Sequence, residues 1–421
     1  MRAISRVVMP VLSAVLLVVT PAIRATESLP AKLSDDTFWQ LVTDSSEPDG
    51  SFLSENFVSN ELGYQYVIPP VLERVHPGGA YIGVGPEQNF TYMAAVHPAI
   101  AFIVDIRRQN MIEHLLYKAL FELSENRTEF VSRLFARKPP ADLGRNPTVD
   151  ELFAAFITVS EDPEFYRENL ELVKSLLSKE HRYALSQEDV ASLEHVYGEF
   201  ARQGPEIRYA VTTNAFTNGI FFALPSPARG AVGTPLNGVP VALPVPVGAN
   251  PEPAPASSDT RKAIPVTLDL RVGMQFPTYA RVMMATDANG KNWSYLATEE
   301  DYQTVRLMQQ KNLIVPVVGD FAGIKALAAV GKYLKDHNAV VSVFYVSNVE
   351  QYLTPLPKLQ GFYANVAGLP LDPSSTFIRS AQAPGIQPGV AQSSISSMQT
   401  VLAAVLEGRA QSSNDILQMS H

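Results

Sequence analysis

The chain has 421 residues, 46% of them hydrophobic and 18% charged, with a net charge of −9 at neutral pH and no cysteine. That leaves room for one large α/β domain with insertions, or two average domains, around a sizeable core. The acidic balance, with no long basic run, argues against nucleic acid and anionic lipid as partners, and the missing cysteines exclude disulfides, thiolate metal sites and a cysteine nucleophile.

The first 25 residues read as a secretory signal. Arg2 and Arg6 make a positive start, Val7 to Thr20 is an uncharged apolar run, and small residues lead to Ala25. The run is shorter than the roughly 20 apolar residues of a membrane span. An uncleaved N-terminal anchor is the alternative. Both place the rest outside the cytoplasm, in the periplasm or beyond, because the arginines stay inside. Cleavage would remove three arginines and take the net charge to −12.

The first body segment, 26–223, opens with short helical and turn pieces. Asp49-Gly50 reads as a turn, and "FLSENFVSNE" as a possible helical segment with Ser54 as a candidate N-cap. A buried-type strand follows at 80–85 (AYIGVG), then a short helix at 88–97 and a second continuous apolar strand at 100–106. Met111, Leu115, Leu116, Ala119, Leu120 and Leu123 fall at helical spacing. Strands alternating with helices and buried on both faces imply a parallel sheet. Residues 126–205 form a helix-rich block, read as an insertion, and strand character resumes at 207–213.

From 224 to 265 there are ten prolines. Such a stretch supports neither a regular helix nor a regular sheet, and reads as a Pro-rich loop. Order returns over 266–380. Thr298 begins a capping-box pattern ahead of a helix. A second βαβ unit follows, with strand 313–318, turn 319–323, helix 324–336 and strand 339–346. "GFYANVAGL" and "STFIRSA" read as edge strands. The tail 381–421 is rich in Ser, Ala and Gln, with one short helix near 396–407. The expected fold is therefore a Rossmann-like, mostly parallel α/β sheet with helices on both faces, a helical insertion and a Pro-rich loop.

The chemistry-bearing residues gather where strands end. Gly83 and Gly85 close the first strand, where glycine permits positive φ and close approach of a ligand. Glu87, Gln88 and Asn89 open the next helix, whose first N–H groups are free. Asp105 ends the second strand, placed to accept the hydroxyls of a ribose. Arg107 and Arg108 follow it and offer an ion-pair partner instead. The third glycine of G-x-G-x-x-G is replaced by Gln88, which suits a cofactor without a pyrophosphate better than a dinucleotide. The seven histidines show no metal-ligand spacing, so no metal is expected. The serine-hydrolase elbow and the phosphate-binding Gly-Lys-Ser/Thr loop are both missing.

On "YIGVGPEQN", "IVDI" and "VVGDF", residues 76–125 and 310–355 resemble the class I S-adenosylmethionine-dependent methyltransferase fold. The chain is also similar to an uncharacterised bacterial family sharing "NFVSNE", "VGPEQNF", "VGDFAG" and "SNVEQYL". "DIRRQNMIEHLLYKA" is distantly similar to aminocarboxypropyl transferases of betaine-lipid synthesis. The resemblance implies S-adenosylmethionine at Gly83, Gly85, Glu87, Gln88, Asn89 and Asp105, with Asp320 and Phe321 on the adenine side. Asn56 and Asn60 would fold over its mouth, and Ser347 and Asn348 would face a small-molecule acceptor. Glu350 or Tyr352 would be the base. Asp320 and Ser347 also read as helix caps. Two functions are therefore carried forward: an S-adenosylmethionine-dependent transferase of unknown acceptor, and a non-catalytic exported binding or structural protein of the envelope on a degenerate methyltransferase fold.

Overall fold

The computed structural model describes residues 28–209, 276–353, 356–382 and 391–420. The expected leader, the Pro-rich loop and most of the strand expected at 207–213 lie outside the described residues.

The elements run in chain order. Helix α1 (Asp35–Ser45) precedes strand β1 (Ala80–Gly83), helix α2 (Gln88–Val96), strand β2 (Ile100–Asp105) and helix α3 (Arg108–Leu123). The expected helical block is α4 (Arg127–Leu134), α5 (Val149–Ile157), α6 (Pro163–Ser175) and α7 (Gln187–Gln203). Then come α8 (Glu299–Gln310), β3 (Ile314–Val318), α9 (Ala326–Asp336), β4 (Val341–Ser347), α10 (Leu356–Ala367), β5 (Thr376–Gln382), β6 (Ala391–Ser397) and α11 (Met398–Leu406).

The six strands form one sheet in the order β3-β2-β1-β4-β5-β6. The first five are parallel and β6 runs antiparallel to β5. This is the Rossmann-like α/β architecture expected from the strand-helix alternation. Every residue of β1, β2 and β3 is buried, as a parallel sheet covered on both faces requires. The two βαβ units, more than 200 residues apart in the chain, meet as neighbours: Tyr81 pairs with Ala101 on one side and Val343 on the other. Strand order reverses between β1 and β4. Open α/β sheets bind ligands outside the strand C-termini at such a switch point.

Three local expectations are corrected. "GFYANVAGL" belongs to helix α10, not to an edge strand. Its buried residues Leu359, Phe362, Tyr363 and Val366 recur at a helical period, and parallel pairing of β4 with β5 needs a crossover helix there. The tail holds more than the one short helix expected near 396–407: that helix is Met398–Leu406, and Ala391–Ser397 before it adds the antiparallel sixth strand. "FLSENFVSNE" is irregular rather than helical, since its backbone is drawn across the sheet edge. Thr298, by contrast, caps α8 as expected, accepting from the Asp301 N–H at 3.1 Å.

Candidate functional site: the C-terminal edge of the sheet

Residues 46–61 cross the strand C-termini in sheet order. Beside β3, Ser46 Oγ accepts the Val318 N–H at 3.0 Å and the Glu47 N–H donates to Val318 O at 2.7 Å. Just past β2, the Gly50 N–H donates to Ile106 O at 2.9 Å. Just past β1, the Ser59 N–H donates to the Glu87 carboxylate at 3.1 Å. At the end of β4, Glu61 accepts the Ser347 hydroxyl at 2.6 Å. The segment is a strap over the edge where such a fold binds its ligand.

Beneath the strap, the glycine turn is filled by side chains of the chain. A Cβ on Gly83 would lie 2.0 Å from Asn89 Oδ1, so only glycine fits. Asn89 folds back over the turn, donating to the carbonyls of Val84 at 2.9 Å and Pro86 at 2.7 Å, and accepts from Tyr81 Oη at 2.9 Å. Gly85 has a φ of 76°, and its carbonyl is met by His114 Nε2 at 2.9 Å. Gln88 bonds the Ser59 hydroxyl and donates to Glu61 at 2.9 Å and Tyr92 Oη at 3.1 Å. Glu87, Gln88 and Asn89 are all buried, and each is engaged by the protein's own groups. Burial pushes the Glu87 carboxyl up to about 8, against the pull of the Ser59 N–H.

Asp105 is held in a fork. Arg107 Nε reaches Oδ1 and Nη2 reaches Oδ2, both at 3.0 Å, and the Arg107 N–H adds a third bond at 2.9 Å. Both side chains are buried. Arg107 also donates to the carbonyl of Glu55 in the strap. A planar guanidinium matched to a carboxylate in this way takes both oxygens. Asp105 and the glycine turn therefore share the strand edge, as expected, but with their polar atoms turned to the protein.

At the switch point, Glu61 collects the hydroxyl of Tyr345 at 2.9 Å, that of Ser347, and the amide of Gln88. Ser347 is thus bound to the strap rather than capping a helix, and its φ is 48°. Asn56, with a φ of 50°, and Asn60 are half-buried within the strap. Asn348 is half-buried and bonds Tyr352.

The remaining expected residues disperse. Asp320 accepts the Ala322 N–H at 2.9 Å and lies 3.6 Å from Lys358. Phe321 is buried in the core, stacked on Phe362 at 5.4 Å and edge-on to Phe344. Glu350 and Tyr352 diverge. Glu350 is buried, with both oxygens on Arg379 and one on Tyr363. Tyr352 is 47% exposed, its ring against Phe52. They do not converge on one reacting centre.

Two surface depressions lie at this edge and beside it. One, of about 210 Å³, lies beside the strap between Asp49, Phe52, Glu55, Arg107 and Gln109. That is below the roughly 300–1,000 Å³ of small-molecule sites. The other, of about 350 Å³, lies between α1 and the start of α3, around Trp39, Glu47, Arg108 and Lys325, and touches none of the expected residues. Among the described residues, no three His, Asp or Glu side chains are grouped to hold a metal, and no helix is long and apolar enough to cross a membrane.

The sequence offered Arg107 and Arg108 as ion-pair partners of Asp105, and the pair forms with Arg107; Glu61, in the "NFVSNE" segment, gave no sign that it would meet Ser347. That contact has no local signal, because Glu61 and Ser347 are brought together only by the sheet. Comparison with curated proteins found no match. A family model described as "Domain of unknown function (DUF7790)" matches residues 56–143 and 255–418, well over half of the chain, and covers the strap from Asn56, the glycine turn, Asp105 and every strand of the sheet; the chain belongs to that family.

Proposed function

We propose that the chain is an exported, non-catalytic binding protein on a methyltransferase-like sheet whose cofactor crevice is closed by its own strap. Export rests on residues 1–25 alone. The observation that carries the rest is the run of contacts from Ser46 to Glu61, which engages the ends of four neighbouring strands.

S-adenosylmethionine does not fit this arrangement. Its ribose would have to displace Arg107 from Asp105 and leave a buried guanidinium unpaired, at a cost of several kcal/mol. Its amino-acid end would meet Asn89 and Gln88, whose polar groups already have partners. Its adenine would need Phe321, which is stacked into the core. Catalysis by Glu350 is disfavoured in the same way, since its carboxylate is fixed on Arg379.

Isothermal titration of the purified protein with S-adenosylmethionine and S-adenosylhomocysteine tests the reading. No binding at millimolar ligand is the expected result. Micromolar binding that is lost in Asp105→Ala would return the transferase reading to first place.

A further inference from the structure

Helix α3 carries a stripe that its packing does not explain. Asn110, Glu113, His114 and Tyr117 recur at the spacing of one helical face. All four are buried. Each retains a polar atom with no hydrogen-bond partner among the described residues: Asn110 Nδ2, both oxygens of Glu113, His114 Nδ1 and Tyr117 Oη. Buried polar side chains are nearly always satisfied. An orphaned acid is the costliest exception, and four orphans on one stripe concentrate that cost in one place.

The chemistry of the stripe can be read atom by atom. His114 Nε2 faces the Gly85 carbonyl, which only accepts, so Nε2 carries the proton. Nδ1 of the neutral ring is then a bare acceptor. Neutrality is consistent with burial, which pushes the imidazole down to about 4. Glu113 adds two more acceptor atoms, and its field reaches Glu87, Asp105 and Arg107. Acceptors outnumber donors, and carboxyls outnumber the one guanidinium, itself committed to Asp105. The Phe90 ring packs edge-on against His114 at 5.6 Å and Tyr117 at 5.2 Å, giving the stripe an apolar flank.

We propose that this stripe is a binding site for a small organic cation bearing N–H donors, a primary ammonium or guanidinium, with Glu113 as its counter-ion and His114 Nδ1 as a second acceptor. Asn110 and Tyr117 supply the donors for a neighbouring polar atom of the ligand. Burial holds the Glu113 carboxyl well above the usual range, against the opposing pull of Arg107, and a bound cation would pull it back down. Binding of a cation therefore favours proton release from this carboxyl. The inference deepens the reading of the chain as a binding protein and rests on it.

The test is titration of the purified protein with ethylamine, putrescine and agmatine in two buffers of different ionisation enthalpy. Tetramethylammonium serves as the cation without N–H groups. Saturable binding of at least one amine is expected, with none for tetramethylammonium, and with net proton release rather than uptake on binding. Glu113→Gln should lose about ten- to a hundredfold in affinity, as expected for a charge-assisted hydrogen bond. The same variant should melt no lower than the parent, because it removes a buried unpaired acid. Absence of binding by all three amines, equal binding in Glu113→Gln, or a lower melting temperature for that variant would overturn the proposal. Failure with the amines while S-adenosylmethionine also fails to bind removes only this inference. Binding of S-adenosylmethionine removes the closed-crevice reading whatever the amines do.

Discussion

Glu61 and Ser347 meet at 2.6 Å across the point where strand order reverses. They are nearly 300 residues apart, and the contact exists only because β1 and β4 are neighbours. A buried carboxylate that gathers three donors at once fixes the strap to the sheet more firmly than any single bond could. Glu61→Ala orphans the Tyr345 hydroxyl, the Ser347 hydroxyl and one Gln88 N–H. At about 1–3 kcal/mol for each buried donor left unmade, the variant should lose about 3 kcal/mol or more in urea-induced unfolding. A loss under about 0.5 kcal/mol would mean that the strap is not anchored there.

Arg107→Ala should be more damaging than its position after a strand suggests. It leaves Asp105 buried without a counter-ion, a change that costs about 3–5 kcal/mol. Replacing both partners by apolar residues, Asp105→Leu with Arg107→Met, should recover much of that loss, because the buried charge goes with its partner. Equilibrium unfolding of the single and double variants reads the difference. A double variant no more stable than Arg107→Ala would contradict the ion-pair account.

Much of the sheet could be read in the sequence because its signal is local. Continuous apolar runs such as 100–106 and 313–318 allow little but a buried strand, and the glycine turn at Gly83–Gly85 separates strand from helix. The helical block likewise follows from spacing. The errors arose where the pattern was ambiguous or non-local. "GFYANVAGL" alternates enough to mimic a strand, and only its place between two parallel strands makes it a crossover helix. The polar residues at the strand ends were correctly located, but their partners lie far off in sequence: Ser59 and Glu61 for Gln88, Arg379 for Glu350. A polar residue at a strand end looks the same in the sequence whether it faces a ligand or the protein. The orphaned stripe on α3 carries no local signal for the same reason, since nothing in the sequence says that Glu113 and His114 are buried.

Glu350 and Tyr352 separate scaffold from surface. Arg379 is fully buried and bonded to Glu350, Tyr363 and Ser396. Glu350→Ala should therefore destabilise by about 3–5 kcal/mol, as does removing one partner of a buried pair. Tyr352→Phe keeps the ring against Phe52 and should stay within about 0.5 kcal/mol of the parent. Thermal or urea unfolding of both tests this. Equal effects would undo the assignment of one residue to the core and the other to the surface.

Glu87 predicts a slope of stability with pH. Its carboxyl is raised from 4.5 to about 8 by burial. The folded state therefore holds a proton that the unfolded chain has already released. The associated stability is complete below pH 4.5 and declines as pH rises through about 8. Glu87→Gln keeps an acceptor for the Ser59 N–H and removes the titration. The variant should match the parent near the acid end and exceed it above pH 8, measured by unfolding across pH. A parent curve that rises over this interval relative to the variant would be the wrong sign.

Besides Glu87 at Ser59, the strap has a titratable fastening at its outer side. Glu55 pairs with His195 of α7 at 2.7 Å. The pairing raises the His195 imidazole above 6.5, chiefly through its bond to Glu55, and the same bond lowers Glu55 below 4.5. Gln109 and Arg107 also face Glu55, while Glu199 and Arg202 face His195. The sign for a raised histidine is fixed: its contribution is full below pH 6.5 and is lost as pH rises through the raised value. Glu55, being lowered, loses its share only as pH falls well into the acid range. Both partners are substantially exposed, so the effect is local opening rather than global unfolding. Amide hydrogen exchange of residues 52–57, which flank Glu55 and exclude the Ser59 contact to Glu87, corrected for the intrinsic pH dependence of exchange, should show protection falling from pH 6 to pH 9 more steeply in the parent than in His195→Gln. The carbonyl and N–H contacts at Val318 and Ile106 carry no titratable group, so that end of the strap should keep its protection throughout. Loss of protection there together with the Glu55 region would mean that the strap opens as one piece and that the ion pair controls access to the whole sheet edge.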